Sequence, residues 1–265
     1  MCTDNLFSLR GRNVLITGAS GFLGRYMVSA VAQAGAHVLV NARTLEKAKP
    51  VVEDLHEQGF SAEPLVFDVV NEKQVYSAIN DLNGRPIHAL VNNAYSGGAG
   101  SIANVQSKQY TDSCQISIAA VHLLFTAFLP SLQLAVKDVG HASVINIASM
   151  YGMVSPDLRV YDHSDSANPP FYGVAKAALI QWSRYAACEF GALGIRVNSL
   201  SPGPFPNYKV QKDQSAFVQR LADRVPMGRI GSPEEIGGPV VFLASSASTY
   251  VNGANLVVDG GWTAW

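Results

Sequence analysis

Charge is scarce in this chain. Only 15% of its 265 residues are Asp, Glu, Lys or Arg, and nineteen basic against twenty acidic side chains leave a net charge of −1. Without a basic surplus to neutralise phosphates, neither nucleic acid nor an anionic membrane is expected as a partner. Cysteines are few: Cys2, Cys114 and Cys188 are odd in number and far apart, and no Asn-x-Ser/Thr acceptor occurs. That usage fits a reducing, cytoplasmic setting. Cys114 and Cys188 fall in helical patterns and read as small packed residues. Apolar runs are short of the ~18 residues that a membrane span needs. The richest, Ala119 to Leu129, is broken by His122 and Thr126. The opening MCTDNLFSLRGR has no apolar segment of signal-peptide length. The histidines (37, 56, 88, 122, 141 and 163) show no HExxH or paired Cys/His spacing, so no metal is expected.

Apolar residues, at 48%, are plentiful enough for a large core. Short β-branched runs alternate with helical patterns throughout. Strands are expected at Asn13 to Thr17, His37 to Val40, Leu65 to Phe67, Ala89 to Asn92, Val144 to Ile147, Arg196 to Leu200 and Leu256 to Val258. They are apolar at nearly every position, as strands covered on both faces of a parallel sheet must be. Arg25 to Ala34 and Lys73 to Leu82 carry apolar stripes at helical spacing, and Ser232 to Glu235 forms a capping box with proline at the first helical position. The pattern predicts an α/β fold: one doubly wound domain over residues 1–265, its seven-stranded, mainly parallel sheet carrying helices on both faces. One polar, proline-rich stretch, Val154 to Pro170, is too long for an ordinary connection and reads as an inserted active-site loop.

The first strand runs into TGASGFLG and then a helix. Such a turn lets a pyrophosphate approach the backbone and meet the free N–H groups of a helix start. The second strand ends Val40-Asn41-Ala42-Arg43-Thr44, with no carboxylate to accept from ribose hydroxyls. Arg43 instead suits a 2′-phosphate, favouring NADP(H) over NAD(H). Asp68 follows the third strand, either as an acceptor for an adenine amino group or as an N-cap. Lys47 and Lys49 read as a solvated helix face. Tyr172 and Lys176 lie four residues apart at the start of a helix, on one face. A cation near a phenol lowers its pKa, which prepares it to exchange a proton with substrate while hydride moves.

In order along the chain, TGASGFLG, Asn92-Asn93-Ala94, Ile147-Ala148-Ser149-Met150, YGVAK, Arg196-Val197-Asn198, Ser201-Pro202-Gly203-Pro204 and Val258-Asp259-Gly260-Gly261 resemble the short-chain dehydrogenase/reductase family over nearly the whole length. The resemblance implies that Tyr172 is the general acid/base, that Lys176 lowers its pKa and binds the nicotinamide ribose, and that Ser149 hydrogen-bonds the substrate oxygen. Ser117 stands where many members carry an active-site asparagine. Cofactor contacts are implied for Gly18, Ser20, Gly21, Phe22, Leu23, Gly24, Arg43, Asp68, Val69, Asn93, Ala94, Tyr172, Lys176, Pro202 and Gly203.

Two departures accompany the likeness. The glycine spacing is that of the family's extended branch, whereas the length and Asp-Gly-Gly ending fit its compact one. Ser149 and Tyr172 are also further apart than is typical, the insertion filling the difference. The insertion's polar character, with the LFSLRG opening and DGGWTAW ending, resembles the sugar-acid dehydrogenases of this family. A sugar, sugar-acid or polyol substrate is therefore expected, held by Ser149, Tyr151, Asp162, His163 and Tyr172. The resemblance also implies a homodimer or homotetramer, with Trp262 and Trp265 candidates for the subunit contact. Rival readings are a dinucleotide-binding regulator with weak catalysis, or an epimerase or dehydratase holding its cofactor tightly.

Overall fold

The computed structural model describes residues 6–265, so Cys2 lies outside the described residues. The apolar runs form seven strands: β1 (Asn13–Ile16), β2 (His37–Ala42), β3 (Ala62–Val66), β4 (Ala89–Asn92), β5 (Ala142–Ile147), β6 (Ile195–Pro202) and β7 (Asn255–Val258). They lie in the order β3-β2-β1-β4-β5-β6-β7, and every pairing is parallel. The helices are α1 (Phe22–Gln33), α2 (Leu45–Glu57), α3 (Glu72–Asp81), α4 (Ser107–Cys114), α5 (Ala120–Val139), α6 (Pro170–Phe190), α7 (Tyr208–Asp213), α8 (Ser215–Arg224) and α9 (Gly237–Ala244).

Alternation of side chains about the strands explains why polar positions are missing from them. Val14, Ile16, Val38 and Val40 point to one face and pack with Val28 and Val31 of α1, Val51 of α2 and Val240 of α9. Their neighbours Leu15, Leu39, Leu90 and Val144 point to the other, against Val75 of α3 and Leu124, Phe125 and Phe128 of α5. All seven sequence-expected strands are present, with shifted ends. β3 begins earlier, at Ala62, because an edge strand accommodates Pro64 without losing an internal ladder bond. β6 runs on through Ser201 and Pro202 because those residues pair with Val257 and Val258. The capping box at Ser232 opens a 3-10 turn (Pro233–Ile236) that leads directly into α9, and Ser232 N–H donates to Glu235 Oε2 at 2.8 Å.

One expectation about length needs correction. α4, a five-residue π segment (Gln115–Ala119) and α5 join into one helix, Ser107–Val139, long and apolar enough by composition to cross a bilayer. Half of its most apolar window is buried against this protein's own sheet.

β1 and β4 are neighbours although β2 and β3 lie between them in sequence order. Connections leave toward opposite faces there, and the carboxyl ends of the strands diverge into a crevice.

Candidate active site

The turn after β1 forms one wall of that crevice. Gly18 has φ +61°, and a Cβ there would come within 2.9 Å of Ala94 Cα. Gly24 faces the Gly18 carbonyl so closely that no side chain fits. Thr17 fixes the turn to the end of β4: its Oγ1 accepts from the N–H groups of Asn93 (3.0 Å) and Ala94 (3.1 Å). Asn93 Nδ2 donates in return to the carbonyls of Thr17 and Gly18. Asn41, whose role was not apparent from the sequence, joins the ends of β2 and β3 by donating to the Leu65 and Phe67 carbonyls, both at 3.0 Å. Gly203, at the far side, sits too tightly against Asp259 for a side chain, which would lie 2.5 Å from its Cα.

The crevice is a cleft of about 1010 Å³. Every expected cofactor residue lines it: Gly18, Ser20, Gly21, Phe22, Leu23 and Gly24 in the turn, Arg43, Asp68 and Val69 on the second and third strand ends, Asn93 and Ala94, Tyr172 and Lys176, Pro202 and Gly203. Lys47, expected to be merely solvated, also lines it, on the same stretch as Arg43. Asp68 is not a helix cap; Asn71 caps α3 by accepting from Gln74 N–H, while Asp68 Oδ1 accepts from Val70 N–H. The glycine-framed cradle and the basic residues beside β2 fit an extended dinucleotide bearing an additional phosphate.

Ser149 follows β5 and Tyr172 lies in the first turn of α6, and both side chains line the cleft. Lys176, 5% exposed, donates from Nζ to the Ile147 carbonyl at 2.6 Å. Burial pulls its ammonium down to about 8. Burial also pushes the Tyr172 phenol above its ordinary value, opposed by the nearby Ser149 hydroxyl. An acidic phenol here calls on the positive nicotinamide ring as well as on Lys176. The sequence gave no sign of Tyr95, whose ring packs edge-on against Tyr172 with centroids 4.9 Å apart.

Four expected residues do not reach the cleft. Ser117 lies buried in the π segment, its hydroxyl without a hydrogen-bond partner, and the wall is formed by its neighbours Gln115 and Ile116. Tyr151 is turned into a separate cluster with Val160, Leu221, Val225 and Trp262, its hydroxyl 3.0 Å from that of Tyr161. Asp162 is bonded to Arg220 (2.6 Å), and His163 is exposed outside the cleft. The insertion is a strap on α8: Arg220 Nε also donates to the Val160 carbonyl, and one turn later Arg224 pairs with Asp157 at 3.2 Å. Trp262 belongs to this intrachain cluster, which corrects its assignment to a subunit contact, whereas Trp265 is exposed. Cys114 is half-buried, and Cys188 is exposed, not packed.

Before α8 in the chain, α7 touches the start of α1, next to the glycine turn. Tyr208 meets Phe22 edge-on (5.6 Å between centroids), and its hydroxyl lies 2.7 Å from that of Tyr26.

A family model described as enoyl-(acyl carrier protein) reductase matches residues 18–263. The chain is 32% identical over 262 residues to 5-keto-D-gluconate 5-reductase of Escherichia coli strain K12, covering 97% of this chain and 98% of that protein. The chain belongs to the short-chain dehydrogenase/reductase family. Within this family it is 30% identical over 269 residues to the gluconate 5-dehydrogenase of Gluconobacter oxydans, covering 99% of each chain. Among solved structures of short-chain dehydrogenases, a gluconate 5-dehydrogenase from Burkholderia cenocepacia, in complex with NADP and tartrate, superposes with a TM-score of 0.88. It is 30% identical, with all of both chains covered. The doubly wound fold and the oxidoreductase class acting on CH–OH groups follow from this membership.

Proposed function

We propose that the protein is an NADP(H)-dependent oxidoreductase that interconverts a secondary alcohol and a ketone on a sugar, sugar acid or polyol. The observation carrying this reading is the convergence of Ser149, Tyr172 and Lys176 on one wall of a cleft whose far end holds Arg43 and Lys47. Bound NADP supplies the hydride acceptor in oxidation, the hydride donor in reduction, and the positive ring that favours phenolate. In oxidation Tyr172 takes the proton of the substrate hydroxyl, and in reduction it returns one to the carbonyl oxygen. Ser149 holds that oxygen, and Lys176 supports the phenolate from the same helix face. The backbone N–H groups at the start of α1 bind pyrophosphate, and Arg43 and Lys47 bind the 2′-phosphate.

The substrate class is supported by the relatives' sugar-acid chemistry and by the cleft's polar Ser96, Asp112 and Gln115, which offer hydrogen bonds to hydroxyls. The test follows reduced-nicotinamide absorbance with NADPH and NADH across keto-sugar acids, polyols and simple apolar ketones. NADPH-linked turnover of the polar compounds is expected. Turnover confined to the apolar set overturns the substrate class, and retained turnover in Tyr172→Phe overturns the catalytic assignment.

A further inference from the structure

Lys176 is a buried cation with one hydrogen bond among the described residues, to a backbone carbonyl. An ammonium has three donors and needs compensation for the water it gives up. Two aromatic rings flank it: Nζ lies 5.1 Å from the centroid of Tyr95 and 5.6 Å from that of Tyr172, both within cation–π range. Tyr172 exchanges a proton during the cycle, so Tyr95 is the ring whose charge state stays constant. Its own phenol is raised by burial, and it is held by Ser113, 3.3 Å from the hydroxyl. Ser113 in turn donates to the Phe171 carbonyl, immediately before the catalytic tyrosine.

We propose that Tyr95 is a positioning residue for the Tyr172–Lys176 pair, its ring holding the buried ammonium charged and in place beside the phenol. The proposal rests on the catalytic roles given above to Tyr172 and Lys176. Other elements packed on α6 leave this task to Tyr95. On α4, Asp112 is engaged by Lys108 at 2.7 Å and Tyr110 packs edge-on against Phe171. The π segment contributes the uncharged Gln115 and Ser117, and β5 the Ile147 carbonyl. In the turn after Ser149, the Tyr151 hydroxyl is held by Tyr161. Burial is the one influence that shifts Lys176, so a nearby π face is the available counterweight.

The deciding measurement is the titration of Lys176 itself, by carbon-13 NMR of the lysine Cε resonance, assigned by its loss in Lys176→Met. Tyr95→Phe, which keeps the ring, is expected to leave the midpoint within about 0.3 units of the parent. Tyr95→Leu is expected to lower it by about one unit, tenfold in proton affinity. Because leucine also removes the ring packed against Tyr172, fluorinated phenylalanines at position 95 provide a second series of nearly constant shape. The midpoint should fall stepwise as fluorine withdraws density from the ring. Identical midpoints across the fluorinated series overturn the proposal, as does a Tyr95→Phe midpoint displaced as far as that of Tyr95→Leu. Turnover by Tyr172→Phe, measured in parallel, reports separately on the catalytic assignment, which the lysine titration does not depend on.

Discussion

Arg43 is the side chain on which the proposed cofactor preference turns. It follows β2 where a carboxylate would bind the hydroxyls of unphosphorylated ribose, and Lys47 stands with it on the cleft wall. A charge-assisted hydrogen bond contributes about 1.5–3 kcal/mol. Arg43→Ala is therefore expected to raise the KM for NADPH about 10- to 100-fold and to leave that for NADH nearly unchanged. Steady-state kinetics with both cofactors check this, and equal losses for the two place Arg43 away from the 2′-phosphate. Arg43 was legible because its site follows directly from strand and turn order. Lys47 was not, because a helix-face lysine looks the same whether it meets solvent or a phosphate. Asp162 and His163 misled for a related reason: their polarity suggested a substrate, but Asp162's partner, Arg220, is distant in sequence and gave no local sign.

Elements were more legible than their contacts. Strands buried on both faces announce themselves as uninterrupted apolar runs, and the Tyr-x-x-x-Lys pair sits on the helix that its spacing demands. The π segment had no such signature, since an extra residue in a helical turn leaves composition unchanged. The contacts of α7 and α8 were hidden too. α7 is held to the glycine turn by Phe22, Tyr26 and Tyr208, and α8 to the insertion by Arg220 and Arg224. Phe22 starts α1 at the glycine turn that lines the cleft, so any displacement of α7 from that turn separates those rings. Aromatic pairs contribute ~0.5–1.5 kcal/mol beyond their area. Tyr208→Ala is accordingly expected to speed dinucleotide release about 3- to 10-fold, read by stopped-flow displacement of NADPH fluorescence. An unchanged release rate means that the aromatic contact does not retain the dinucleotide.

Across the whole molecule, the two ends of the sheet respond differently to pH. The cleft occupies the carboxyl ends of the strands. At the amino ends lie Arg12, His88, His141 and Arg196, around Ser246 and Asp138. Burial and the neighbouring Arg12 and Arg196 depress His141 to about 4, and burial lowers His88 as well. Their folded-state pKa values lie below the unfolded value near 6.5, so between pH 6.5 and 4 the unfolded chain binds protons that the folded one refuses. Stability is lost as pH falls through that window. Discounted for partial exposure, His141 accounts for on the order of 1–2 kcal/mol. Thermal melts of His141→Asn should show a shallower fall in Tm from pH 6.5 to 4 than the parent, and parallel curves would remove His141 as the cause.

The arginine strap ties α8 to a segment that carries none of the proposed chemistry. Residues 154–170 support the underside of α8 while Ser149, Tyr172 and Lys176 are fixed by the sheet and α6. Lengthening or trimming that stretch would shift α8 without touching a residue that lines the cleft. The insertion is therefore free to drift in length and sequence while the walls of the cleft stay as they are.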